Sequence, residues 1–328
     1  MLVSSSIRIP ESPEALLTPR VAALLDRLDV RSRNIRSGTM PGERRSKRRG
    51  QSVEFDDFRP YVTGDDLRHL DWNAYARLDR FMIKLFRAEE DLAITLVLDA
   101  SPSMYAGEDE TGAGGDQLDA KVVHAARLAM AIGAIALAKQ NRVSVLRFGG
   151  RTLGRFPPSR GRRSIERLAR FLLEGLHEPM DPTAARDLTT SLREVGRARS
   201  GRGVVVLLSD LLIRGDAAPG LRAMVARDRA GTDGAVLRVL TPSELDPAAS
   251  SGGIRGDLRL EDIEAAGPAT EVTVSKQLLK RYREKFAEHE AQLRRDASRL
   301  GLSYHTLTTA EPIADVVGGT LRRLGLLG

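Results

Sequence analysis

From residue 93 to the carboxyl end, short apolar runs alternate with longer segments whose apolar positions recur every three to four residues. The runs 93–98, 143–148, 204–208 and 235–240, rich in Val, Leu and Ile, are predicted strands, as are the more polar 152–156 and 303–307. Between and after them, 119–139, 164–176, 189–198, 217–229, 276–300 and 312–324 carry helical periodicity. Runs such as Ile94-Thr95-Leu96-Val97-Leu98 and Val204-Val205-Val206-Leu207-Leu208 do not alternate with polar residues, so they are buried on both faces. Strands of that kind separated by helices make a mostly parallel sheet with right-handed crossovers. The expected fold class is therefore α/β, doubly wound and Rossmann-like.

Three further regions interrupt or precede this pattern. Ser12-Pro13-Glu14 reads as a helix start, and Leu16, Leu17, Val21, Leu24, Leu25 and Leu28 follow at helical spacing, which predicts about four turns. The stretch 54–72 mixes aromatics, including Trp72, with six acids (Glu54, Asp56, Asp57, Asp65, Asp66, Asp71). Arg59, Arg68 and Arg77 lie among them, so ion pairs and Asp caps beneath a few buried rings are expected rather than a carboxylate metal site. Between Leu240 and Lys276, the alternation of Leu258/Leu260 and of Val272/Val274 predicts a small hairpin, placed either as a surface excursion or as a partner contact. The chain is accordingly divided into an amino-terminal helix and basic linker (1–40), a lobe packed on the main domain (41–90), and the α/β domain (91–328) with an insertion at about 243–274.

Composition narrows the class. The chain has 328 residues and no cysteine, which excludes disulfides and thiolate metal sites. Aromatics make up 4%, too few for a stacking-based nucleic-acid reader. The first residues lack a basic region followed by an apolar core, and the longest apolar stretch, Leu128 to Ala138, is shorter than the roughly 20 residues a membrane span needs. A buried helix, no membrane span and a cytoplasmic location are the expectations. Charge is localised: Arg31, Arg33, Arg36, Arg44, Arg45, Lys47, Arg48 and Arg49 face one acid, Glu43, a local excess equal to the whole chain's +7. That patch fits a solvated segment, or a contact with nucleic acid or another acidic surface.

The densest candidate chemistry follows the first strand of the α/β region. Asp99-Ala100-Ser101-Pro102-Ser103 delivers a carboxylate and two hydroxyls to the carboxyl edge of the sheet, where open α/β folds bind ligands. Oxygen donors of this kind suit Mg²⁺ or Mn²⁺, and they also suit an ordinary turn. The strand 204–208 ends in Ser209-Asp210, so Asp210 is predicted at the same edge. Asp99, Ser101, Ser103 and Asp210 form the candidate metal set. Asp99 also resembles a phosphoryl-accepting aspartate, but Ser101 stands where Mg²⁺-dependent hydrolases of that type place a second Asp. No nucleophile elbow, zinc-protease helix or phosphate loop is present, and the five histidines are scattered; His124 is expected to be structural. A noncatalytic protein is the expectation.

The strand with Asp99-x-Ser101-x-Ser103, the helix from Asp119 and the Ser209-Asp210 strand end resemble a von Willebrand factor A domain with a metal-ion-dependent adhesion site. The preceding segment is more specific. Glu54-Phe55, Arg59-Pro60-Tyr61, Gly64-Asp65-Asp66, Arg68, Asp71-Trp72, Ala76-Arg77, Lys84, Phe86 and Glu89 resemble the bacterial domain-of-unknown-function 58 family. The resemblance covers about residues 40–328 and implies a binding domain that works with a MoxR-type AAA+ ATPase in chaperone-like or assembly roles. It further implies that a partner's carboxylate completes the metal's coordination shell.

One position departs from the adhesion-site pattern. A threonine is expected ahead of a helix start, yet Arg186 precedes Asp187-Leu188, with Thr183 upstream and Thr189 and Thr190 downstream. Arg186 pointing into the crevice would replace the cation by pairing with Asp99 or Asp210. An adaptor with a metal-dependent adhesion site is the leading reading. A nucleic-acid or acidic-surface binder using Arg31–Arg49, and a Mg²⁺-dependent phosphoester hydrolase using Asp99, are the alternatives.

Overall fold

The structure is a computed structural model that describes residues 8–31, 54–63, 65, 67, 70–87, 92–105, 118–150, 152–178, 187–199, 203–213, 215–226, 232–248, 256–260 and 270–328. The chain forms two compact units, one of Met1–Ile35 with Leu92–Gly328 and a smaller one of Arg36–Asp91. The basic patch beyond Arg31, together with Thr183 and Arg186, lies outside the described residues.

The amino-terminal segment departs from the single helix expected for it. A 3-10 turn at Pro13–Leu16 is followed by a separate short helix, α1 (Pro19–Ala22). Thr18 precedes a proline and is therefore pushed out of the helical region, to φ −63° and ψ 150°, which breaks the run. Leucine spacing survives the break: Leu16, Val21 and Leu28 are buried in the main core. Residues 29–31 pair with the carboxyl end, through Asp29 N–H to the Gly328 carbonyl and Arg31 N–H to the Leu326 carbonyl, both at 2.9 Å. The segment set apart as part of 1–40 is thus an element of the α/β unit, held there by the burial of those aliphatic side chains.

Among its described residues the smaller unit holds an antiparallel pair, β1 (Glu54–Pro60) and β2 (Met82–Arg87), and a helix, α2 (Trp72–Leu78). Asp71 caps α2 by accepting from Asn73 N–H (2.8 Å) and Ala74 N–H (3.1 Å). Arg59 and Asp65 form a two-bonded pair at 2.7 and 2.6 Å, and this pair holds the Asp65 carboxyl at about 2. The expected ion pair and cap are present. Among the described residues no ring is fully buried: Trp72 is 64% exposed, Phe58 and Phe81 are also exposed, and Tyr61 and Tyr75 are half-buried, because so small a unit has little interior.

The large unit contains β3 (Ala93–Asp99), α3 (Lys121–Ala138), β4 (Arg142–Phe148), β5 (Gly154–Ser159), α4 (Ser164–His177), α5 (Leu188–Ala198), β6 (Gly203–Ser209) and α6 (Ala218–Val225). It continues with β7 (Thr232–Leu240), α7 (Pro242–Leu245), β8 (Gly256–Leu260), β9 (Thr270–Val274), α8 (Lys276–Arg299) and β10 (Leu302–Thr308). A last irregular helix spans Ile313–Asp315, a π turn at Val316–Thr320 and Leu321–Arg323. Six strands form one sheet in the order β10-β7-β6-β3-β4-β5, parallel except for β5, which runs against β4. That edge strand begins two residues later than its predicted position and carries Pro157-Pro158, which an edge tolerates. β8 and β9 make the predicted antiparallel pair.

Strand side chains alternate between two cores. Ile94, Leu96 and Leu98 with Val204, Val206 and Leu208 face one core, shared with α3, α4 and the terminal segments; Val97, Val205 and Leu207 face another, shared with α5, α6 and α8. Helix α3 is long and apolar enough to cross a membrane, and 89% of it is buried within the fold, as expected for a core helix.

Candidate functional site

β3 and β6 are adjacent and parallel, with Leu98 opposite Leu208, so both release the chain at the same rim. Asp99 and Ser209 therefore stand side by side, and Ser209 Oγ donates to Asp99 Oδ2 at 2.5 Å. The other Asp99 oxygen accepts from Ser101 N–H at 2.8 Å, closing a tight turn. In that turn Ser101 Oγ lies 3.2 Å from Ser103 Oγ. The structure brings Asp99, Ser101, Ser103 and Asp210 together at one sheet edge. Asp99 and Asp210 are buried, 3% and 2% exposed, and the two serines are half-buried above them.

Gly149 shapes this turn, although the sequence reading did not single it out. It leaves β4 with φ +104°, and a Cβ there would lie 2.3 Å from Ser101 N and 2.4 Å from the Ala100 carbonyl carbon. Ala100 N–H donates to the Phe148 carbonyl at 2.8 Å. Only glycine lets the two strand ends approach this closely.

A buried cationic side chain, Lys121, pairs with the second acid. Lys121, at the head of α3 and wholly buried, donates from Nζ to Asp210 Oδ2 at 2.8 Å and to Glu244 Oε1 at 2.5 Å. Burial pulls its pKa down, but the charges and hydrogen bonds of Asp210 and Glu244 outweigh that and leave it raised. Burial pushes the Glu244 carboxyl up even against Lys121. Glu244 is itself fixed by a capping box, with Oε2 accepting from Thr241 N–H (2.9 Å) and its own N–H donating to Thr241 Oγ1 (3.2 Å). The sequence signal for Lys121 is its position: α3 carries only Lys121 and Arg127 as charged side chains, and Lys121 stands where an apolar helix enters the core.

The Asp210 turn has its own scaffold. Leu211 follows it at φ +48°, a strained conformation for leucine, with its N–H held by Ser209 Oγ at 3.0 Å. Arg238 Nε donates to the Asp210 carbonyl at 2.8 Å, Arg238 pairs with Glu290 at 2.9 Å, and a His289 ring nitrogen lies 3.0 Å from the Leu211 carbonyl oxygen.

Asp99 differs electrostatically from Asp210. It makes no ion pair among the described residues, and burial together with the neighbouring Asp210 charge pushes its pKa up to about 6, against opposing bonds from Ser209 and Ser101. A carboxylate so placed gains from any added positive charge. The donor set is hydroxyl and carboxylate oxygen, which fits a hard divalent cation; the fit depends on the serines, since among the described residues no cluster of three His, Asp or Glu is present. Of the threonine candidates, Thr189 and Thr190 lie in the first turn of α5, where Asp187 accepts from Thr190 N–H at 3.1 Å, and neither bonds to Asp99, Ser101 or Asp210 among the described residues.

The sequence model of the family described as "Protein of unknown function DUF58" matches residues 57–293. "Uncharacterized protein Rv1480" of Mycobacterium tuberculosis and "Uncharacterized protein Mb1516" of Mycobacterium bovis are each 28% identical over 301 residues, covering 91% of this chain and 88% of theirs. Among solved structures, the conserved hypothetical protein BatB from Bacteroides thetaiotaomicron is 14% identical with a TM-score of 0.39, covering 71% of this chain and 98% of that one. A von Willebrand factor type A protein from Catenulispora acidiphila is 12% identical with a TM-score of 0.39, covering 74% and 44%.

Proposed function

The chain belongs to the DUF58 family, and on that premise we propose that it is a noncatalytic interaction protein whose sheet-edge site binds a divalent cation and, through it, a carboxylate of a protein partner. In this reading Asp99, Ser101 and Ser103 hold Mg²⁺ or Mn²⁺, and Asp210, already held by Lys121, stands behind them. The cation supplies a Lewis-acidic position that a partner's carboxylate fills. A MoxR-type AAA+ ATPase, implied by the family resemblance, is the proposed partner. One observation supports the reading: a buried carboxylate with no ion pair among the described residues, Asp99, lies beside two half-exposed hydroxyls and a second acid.

The hydrolase alternative has weaker support, since the second acid is neutralised by Lys121 and no general acid faces Asp99 among the described residues. The test is a melting curve of the wild type and of Ser101→Ala with Mg²⁺, Mn²⁺ or chelator, followed by affinity capture under the same conditions. A metal-dependent upward shift that Ser101→Ala abolishes, with an AAA+ ATPase captured only by metal-loaded wild type, is the expected result. The absence of any shift with divalent ions overturns the metal reading, and capture that ignores metal and mutation overturns the partner reading.

A further inference from the structure

Helices α5 and α6 share the second core, to which Leu192, Val195, Leu221 and Met224 belong. They meet at Gly196, where an added Cβ would lie 2.3 Å from the Ala223 carbonyl oxygen. Because the residues at this crossing are so small, an open groove of about 580 Å³ remains between the helices, lined by Arg193, Gly196, Arg197, Ala223 and Ala226. Both helices lead into strands, β6 and β7, that start together at the rim opposite Asp99. The groove is therefore separate from the candidate metal site, and none of Asp99, Ser101, Ser103 and Asp210 lines it.

Charge around this groove has one sign. Arg193 and Arg197, the two charged residues of the lining, are exposed and stand four residues apart on one face of α5, a like-charge spacing that disfavours the helix. Glu194, the acid of α5, is the chain neighbour of Arg193, and successive residues do not share a helix face. Arg222 is exposed on α6 beside Ala223, and neither it nor Arg193 has an ion pair among the described residues. Attraction to a helix carboxyl end accounts for Arg197 and Arg222, which lie in last turns, but not for Arg193 in the middle of α5. The sequence continues the same sign: 193–202 and 222–229 together hold seven arginines, no lysine and two acids.

We infer that the α5–α6 groove is a docking surface for an acidic segment of a protein partner, whose carboxylates bond to Arg193, Arg197 and Arg222 while small side chains rest on Gly196, Ala223 and Ala226. The exclusive use of arginine fits this occupant, because the guanidinium fork meets a carboxylate through two parallel bonds. A second copy of the chain is a poorer occupant, since each carries a net charge of +7. A nucleic-acid duplex presents its phosphates on a convex cylinder and leaves the groove floor unfilled.

The full chain is titrated at low ionic strength with a fluorescent peptide of Glu-Glu-Ala repeats, followed by anisotropy, with a Gln-Gln-Ala peptide and a DNA duplex as comparisons. The wild type is set against Arg193→Glu, Arg222→Glu and Ala226→Leu, all at exposed positions, and against Arg281→Glu, an exposed arginine of α8 that changes net charge equally. Melting curves establish that each variant is folded. The expected result is selective binding of the Glu-Glu-Ala peptide, weakened on the order of tenfold in each groove variant and little changed in Arg281→Glu, in chelator or in Ser101→Ala. No binding by the wild type, equal affinity in a folded groove variant, an equal loss in Arg281→Glu, or a tighter complex with the duplex overturns the inference. Binding that requires Mg²⁺ and Ser101 also overturns it and assigns the peptide to the sheet-edge site.

Discussion

The α/β unit and the small lobe use the same residue types for opposite ends. In the large unit charged groups go inside and are answered there: Lys121 lies between Asp210 and Glu244, and Arg238 reaches both the Asp210 carbonyl and Glu290. In the lobe the Arg59–Asp65 ion pair lies at the surface and the buried acid Asp71 accepts from the backbone N–H groups of Asn73 and Ala74, while large apolar side chains such as Val62, Leu67, Trp72 and Leu78 are left exposed. Among its described residues only Leu70, Asp71 and Ile83 are buried. The lobe coheres through local contacts: the Asp71 cap, a stacked Tyr75–Phe81 pair at 4.5 Å, and a two-stranded ladder of the kind that is marginal by itself. The candidate chemistry thus resides in the large unit, while the match to the family model, residues 57–293, includes parts of both.

The largest test of this contrast is Lys121→Met. It keeps all but the terminal atom of the side chain's length and strands Asp210 and Glu244 without their cation, which costs about 3–5 kcal/mol. A denaturant titration followed by far-UV circular dichroism reads that loss; a change below about 1 kcal/mol would show that the internal pair contributes little.

Next in size is Asp99→Asn. The folded pKa of Asp99, about 6, lies above its ordinary value of 3.8, so ionisation opposes folding. The wild type and the variant should therefore match near pH 3, and the wild type should fall behind as pH rises from about 4 to 6, by on the order of 2 kcal/mol in metal-free buffer. Mg²⁺ should close the gap from the wild-type side alone. Parallel stability curves from pH 3 to 8 would contradict the electrostatic difference between the two aspartates.

The smallest effect is local. Amide hydrogen exchange should be faster throughout α2 than in β6, and Arg59→Gln should accelerate exchange in the lobe while leaving the main melting transition in place. Equal protection in α2 and β6 would erase the distinction between the units.

Much of this organisation is legible in the sequence, for identifiable reasons. Strands β3 and β6 announce themselves because both faces are buried, and their ends then place Asp99 and Asp210 on one rim. The Lys121 contacts are not legible, because its two partners lie 89 and 123 residues away and nothing local pairs them. Gly149 is equally silent, since its requirement comes from another strand's turn. The amino-terminal helix was overextended because leucine spacing persists through Thr18-Pro19 while the backbone does not. Exposure of Trp72 escapes a reading based on residue type, which assigns rings to interiors that a small unit lacks.

Helix α3 also has a consequence for synthesis. It is apolar on nearly every side, and much of what eventually covers it, including β6, β7 and the carboxyl-terminal helix, is translated about 70 to 200 residues later. During synthesis this apolar segment therefore waits many seconds with only β3 and the amino-terminal residues available to cover it. The lysine that ends up answering two buried acids is, during that interval, one of only two charges on the segment.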